Sequence, residues 1–133
     1  MEAGIFGYEL DITQMNDEEI SEIEKQVEFY KQIRTMVRTG DFYRLQSPYE
    51  GNYCNWQIVS KDKSESLLFG CRILSVANSI EQNILLEGLD GFKEYIDSET
   101  GMAYDGDELM CVGIEPVYEN QDFAVFLKHL KTK

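Results

Sequence analysis

The chain has 133 residues, with 25 Asp or Glu against 12 Lys or Arg and a formal net charge of −13. That length fits one domain, or one domain with a fragment of a second, and its 43% apolar and 12% aromatic content is too high for a disordered chain. The acidic balance argues against nucleic acid and anionic membrane surfaces as partners, because both need clustered Lys and Arg.

Residues 1–15 are short and mixed in character. They lack the basic and apolar regions of a signal peptide, and no run in the chain approaches the ~18 apolar residues of a membrane span. The three cysteines, Cys54, Cys71 and Cys111, form no C-x-x-C pair. An odd count without a leader fits free thiols in a reducing cytoplasm.

Residues 16–40 predict one amphipathic helix. Asn16 is a good N-cap, and Glu19 stands three residues on, as in a capping box. Asp17, Glu18 and Glu19 crowd the positive end of the helix dipole, and Arg34 and Arg38 lie near the negative end. Ile20, Ile23, Val27, Tyr30, Ile33 and Val37 recur at three- and four-residue spacing, one apolar stripe. Gly40 supplies the stop.

After Gly40 the period changes. Residues 42–45 read as a strand ended by Pro48, and residues 49–52 as a turn. Residues 54–60 alternate, with Trp56 and Ile58 on one face, and 61–64 form a polar hairpin connection. Residues 65–76 are apolar on both faces, as in a central strand covered on both sides. Further strands are expected at 83–87, 93–97, 108–112 and 122–130, with a turn at 98–101. Six or seven short strands separated by turns predict a mainly β fold, an antiparallel β-sandwich preceded by one amphipathic α-helix.

Candidate chemistry is sparse. Asp105, Asp107 and Glu108 cluster, and paired carboxylates can serve as acid and base or as calcium ligands. The EF-hand spacing is absent, and in so acidic a chain the cluster reads as a turn leading into a strand. No G-x-G-x-x-G, P-loop or G-x-S-x-G occurs. His129, the one histidine, reads as a surface or edge-strand residue near the C-terminus. Cys71 and Cys111 sit in apolar contexts that suggest buried, inert thiols. No cofactor or metal is expected. Trp56 is either a core residue beside Ile58 or, with the tyrosines, a sugar-stacking platform.

Longer phrases are more specific. Residues 4–11 (GIFGYELD), 29–34 (FYKQIR) and 40–48 (GDFYRLQSP) occur in order. They are followed by Asn52, Trp56, Val59-Ser60, Lys63-Ser64-Glu65, then Gly106-Asp107-Glu108-Leu109-Met110 and Gly113. This series resembles the end of the glycoside hydrolase family 36 alpha-galactosidases and covers almost the whole chain. The resemblance implies a parent with an N-terminal β-supersandwich, a central (β/α)₈ barrel and a C-terminal antiparallel β domain. Residues 1–40 would be the remnant of the last barrel strand (within 1–15) and helix (16–39), and residues 41–133 the C-terminal sandwich.

The family cleaves terminal α-linked galactose, as in melibiose and raffinose, with retention. That needs two carboxyl groups about 5 Å apart, and the resemblance places both upstream, in barrel segments with no counterpart here. In a barrel the site forms at the ends of several strands, so one strand cannot make it. No residue of this chain inherits a catalytic role; Tyr8 and Glu9 would at most approach the barrel mouth. The implied role is non-catalytic support of an alpha-galactosidase in carbohydrate metabolism, with the upstream barrel as partner. Alone, the helix stripe should dock or self-associate. The rival is a stand-alone carbohydrate-binding β-sandwich module using Trp56.

Overall fold

The computed structural model describes residues 7–77 and 82–133. Of the strand expected within 1–15, residues 1–6 lie outside the described residues, and 7–11 carry no strand. A 3₁₀ turn follows at Ile12–Gln14, with Asp11 as its N-cap accepting the Thr13 N–H at 3.0 Å. Helix α1 then spans Asp17–Thr39.

Its start is the capping box read from the sequence. Asn16 Oδ1 accepts the Glu19 N–H at 2.9 Å, and Glu19 Oε2 accepts the Asn16 N–H at 2.9 Å. Such a cap is worth about 1 kcal/mol. The end differs from the usual glycine stop. Gly40 is extended, at φ −67° and ψ 167°, and donates its N–H to Met36 O at 2.7 Å. The chain thus passes from helix to strand without a left-handed residue. Ile33 and Met36 are the buried residues of α1, whereas Ile20 is 39% exposed and Ile23 and Val27 are half-buried.

Six antiparallel strands follow: β1 (Asp41–Gln46), β2 (Tyr53–Val59), β3 (Glu65–Arg72), β4 (Glu94–Asp97), β5 (Ala103–Asp105) and β6 (Ala124–Thr132). They form one sheet in the order β1-β2-β3-β6-β4-β5. The β2–β3 hairpin is held by its turn. Asp62 accepts from the Ser64 and Ser60 hydroxyls at 2.7 and 2.8 Å, and these bonds draw its carboxyl down to about 2. β3, read as central, does lie inside the sheet between β2 and β6, but it ends at Arg72 and not at residue 76.

Val59, Leu68, Tyr95 and Leu130 supply one face of the sheet to the main core. The layer facing them is built from Ile84, Leu86, Leu89, Leu109 and Ile114. This second layer departs from the expected strands in two places. Residues 83–87 are no ladder strand. They keep the alternation of one, with Ile84 and Leu86 buried and Leu85 and Glu87 exposed, but they make only the isolated bridge Ile84↔Ile114. Other partners take their backbone groups: the Leu86 N–H goes to Leu109 O at 3.0 Å, and the Glu87 N–H to the buried Gln57 Oε1 at 2.8 Å.

Residues 108–112, expected as a strand, belong to helix α2 (Gly106–Cys111). Asp107 and Glu108 sit in its first turn, where the dipole favours them, and Leu109 faces inward with no exposure. Gly106 is required there because a Cβ would stand 2.1 Å from Asp90 O. Gly113, at φ +84°, donates its N–H back to Glu108 O at 3.0 Å and turns the chain out of the helix. β5 was not foreseen; it pairs with β4 across a turn in which Gly101, at φ +71°, bonds to Asp97 O. By contact density the chain divides into two units, Met1–Gly40 and Asp41–Lys133.

Candidate functional site

Tyr8 and Glu9 are exposed on the irregular stretch before α1, and the Tyr8 hydroxyl donates to Gln26 Oε1. Asp105, Asp107 and Glu108 are all exposed, at the end of β5 and the start of α2. Asp107 Oδ1 accepts the Glu108 N–H at 2.9 Å, a local helix-start contact. Among the described residues no three His, Cys, Asp or Glu side chains converge as a metal site.

The cysteines are less buried than their sequence contexts suggest. Cys54 and Cys71 face each other across β2 and β3 as half-buried free thiols, and Cys111 is exposed at the end of α2. Burial pushes the Cys54 thiol up, with Cys71 adding to the shift and Arg44 opposing it, which disfavours the thiolate.

His129 is not at an edge. It lies on β6 inside the sheet, 6% exposed, with Nε2 2.9 Å from Glu65 Oε2. Burial lowers its affinity for a proton, against the opposing pull of Glu65. Asp97 is fully buried on β4, and Lys128 Nζ lies 2.9 Å from its Oδ2. Burial acts to raise the Asp97 carboxyl, but bonds from the Glu99 N–H and from Lys128 hold it below the ordinary value. Both pairs tie neighbouring strands together.

Trp56 lies on the sheet face that carries Ile58, Leu67 and Phe69, opposite to Val59 and Leu68. It is half-buried and stacks on Phe69 with ring centroids 4.2 Å apart and planes 15° apart. Phe69 therefore occupies one face of the indole.

The feature that the sequence did not reveal is a cleft on the other face of β2. It measures about 280 Å³ and is lined by Gln46, Gly51, Asn52, Tyr53, Asn55, Gln82, Ile84, Pro116 and Tyr118. Asn55, 1% exposed, forms its back wall; it donates to Gln46 Oε1 and accepts the Tyr118 hydroxyl at 3.2 Å. Tyr118 is held from behind by Phe126, edge-on at 5.1 Å, and by the Arg72 guanidinium 5.3 Å from its centroid. Arg72 also donates to Glu119 O at 2.6 Å. Gly70 makes room for this packing, since a Cβ there would meet Phe126 at 2.1 Å. The lining comes from three separated segments, so no local motif marks it.

Residues 53–130 match the Glycosyl hydrolase family 36 C-terminal domain. The chain belongs to this family. It is 43% identical over 129 residues, 97% of its length, to alpha-galactosidase AgaA of Geobacillus stearothermophilus. Identity is 38% over 128 residues to alpha-galactosidase Mel36A of Lactobacillus acidophilus. The crystal structure of the family 36 alpha-galactosidase AgaB from Geobacillus stearothermophilus superposes with a TM-score of 0.92 at 44% identity, covering 98% of this chain. These matches cover only 17 or 18% of the relatives, so the chain spans about a fifth of their length. It corresponds to the C-terminal portion of a family 36 enzyme and not to the catalytic domain. No helix among the described residues is long and apolar enough to cross a membrane.

Proposed function

We propose that this chain serves as the non-catalytic C-terminal domain of a cytoplasmic alpha-galactosidase, supporting an upstream catalytic barrel that hydrolyses terminal α-galactosides. The observation that carries this reading is the collinear 43% identity to AgaA over 97% of the chain, confined to 18% of the relative. Crystal structures of AgaA variants hold raffinose and stachyose, so the substrate class proposed for the parent is the raffinose-type α-galactoside of carbohydrate metabolism.

On this reading residues 1–40 derive from the last strand and helix of the barrel, and residues 41–133 are the C-terminal domain proper. The exposed and half-buried Ile20, Ile23 and Val27 of α1 then find their cover in the parent's barrel; in its absence the stripe favours docking or self-association. Tyr8 and Glu9 lie toward the barrel mouth and shape access without acting as acid or base.

The test is an exchange. Residues 1–133 replace the matching C-terminal portion of AgaA, and raffinose hydrolysis and thermal inactivation are measured beside an AgaA truncated after the position matching Gly40, which keeps the last barrel strand and helix. The expected result is a soluble, active chimera and an unstable or inactive truncation. A truncation as active and as heat-resistant as intact AgaA would overturn the supporting role. In the chimera, Glu9→Gln is expected to change KM more than kcat, and unchanged kinetics would remove Glu9 from the mouth.

A further inference from the structure

We propose that the cleft between β2 and the 82–84 and 116–118 segments binds one ring of a neutral saccharide. The proposal rests on the chemistry of the cleft and does not depend on the activity of the parent.

The first argument is charge. The chain carries 37 charged Asp, Glu, Lys and Arg residues among 133, yet none of the nine described residues lining the cleft is charged. A carboxylate or phosphate ligand would need a cation or a set of N–H groups aimed at it. The Arg72 guanidinium lies over the Tyr118 ring and donates to the Glu119 carbonyl, and it is not among the lining residues. An ammonium ligand would need a carboxylate, and none of the described lining residues supplies one.

The second argument is the combination of surfaces. Tyr53 and Tyr118 stand with ring centroids 5.8 Å apart and planes inclined by 37°, beside Ile84 and Pro116. They offer an apolar wall broad enough for the C–H face of a pyranose. The same lining holds the exposed side-chain amides of Gln46 and Gln82, which can both donate and accept, as a rim of hydroxyl groups requires. A purely apolar ligand would cover the Gln82 amide and the Gln46 N–H groups without giving them partners, at a cost in affinity.

The third argument is that the wall is built in advance. Asn55 is buried and bonded on both sides, to Gln46 and to Tyr118. Asn52 is fixed by bonds to Leu74, donating to its carbonyl at 2.7 Å and accepting its N–H at 2.8 Å. Little ordering remains for binding to supply. The volume, about 280 Å³, falls just below the roughly 300–1,000 Å³ usual for small-molecule sites, room for one ring with its neighbour outside.

The experiment is a titration of the ¹⁵N-labelled 133-residue chain with raffinose, galactose and, as an anionic control, galacturonate. Amide shifts are followed at Gly51, Asn52, Asn55, Gln82 and Tyr118, and at Trp56 and Phe69 on the opposite face. The expected result is saturable shifts around the cleft with the neutral sugars at millimolar concentrations, much weaker shifts with galacturonate, and silence at Trp56 and Phe69. Tyr53→Ala should weaken binding about tenfold, as loss of one packed ring does. The exposed Gln82→Ala, which leaves the core untouched, should weaken it severalfold. Absence of shifts at tens of millimolar sugar, equal response to galacturonate, or shifts centred on Trp56 would each overturn the assignment. The last outcome would return the sugar-binding reading to the Trp56 face. None of these results bears on the AgaA exchange, so the two proposals fail separately.

Discussion

Gly113 joins α2 to the Ile84↔Ile114 bridge, and its replacement separates two costs that usually come mixed. Gly113 has φ +84°, and a Cβ there would lie 2.5 Å from Ile84 O and 2.8 Å from Ile84 C. Gly101 has nearly the same backbone, φ +71°, but a Cβ there meets nothing within 4 Å. Gly101→Ala should therefore cost only the left-handed conformation, about 1 kcal/mol. Gly113→Ala carries the same cost and also pushes Ile84 away. That threatens the two bridge bonds, Ile84 N–H to Ile114 O at 2.9 Å and Ile114 N–H to Ile84 O at 3.0 Å. At about 1 kcal/mol each, the total for Gly113→Ala comes to about 3 kcal/mol. Against a typical stability of 5–15 kcal/mol, that is a large fraction. Equilibrium urea unfolding followed by the fluorescence of Trp56, the one tryptophan, measures both variants on the same scale. If Gly113→Ala is no more destabilising than Gly101→Ala, the second layer is not held by this bridge and the reasoning fails.

Two further predictions use the buried polar groups. Lys128→Met strands the fully buried Asp97 carboxylate, and urea unfolding at neutral pH should show a loss of about 3 kcal/mol or more. Adding Asp97→Leu should recover much of it, because the uncompensated charge, and not the lost bond, dominates. His129 takes up a proton less readily folded than unfolded, so below about pH 6.5 the unfolded chain binds more protons. Its contribution is complete above that pH and is lost as pH falls toward the lowered folded value. Thermal unfolding in that window should show a downward slope with falling pH that His129→Gln flattens; an unchanged slope assigns it to other groups.

What was legible in the sequence was what neighbouring residues decide. The capping box is written by Asn16 and Glu19, three positions apart, and needs no tertiary partner. The β2–β3 hairpin was equally readable, because a polar turn separates two apolar runs. Residues 83–87 misled because alternation reports burial on one face and not a ladder; Gln57 and Leu109 satisfy backbone groups that a neighbouring strand would otherwise take. Residues 108–112 misled because their helix depends on Gly106 fitting against Asp90 and on Leu109 entering the core. His129 looked peripheral because it is near the end of the chain, yet β6 pairs on both sides and carries it inside. The cleft was hidden for the same reason: Gln46, Asn55 and Tyr118 meet only after β1 pairs with β2 and the 116–118 segment folds over them.

The central claim, that this is a non-catalytic domain of a family 36 enzyme, is tested most directly by turnover. The purified 133-residue chain is incubated with an aryl α-galactoside and release of the phenol is followed. The account predicts no release above buffer at any substrate concentration. Saturable release that disappears on Asp107→Asn or Glu108→Gln would contradict it and make the exposed acidic cluster a catalytic site.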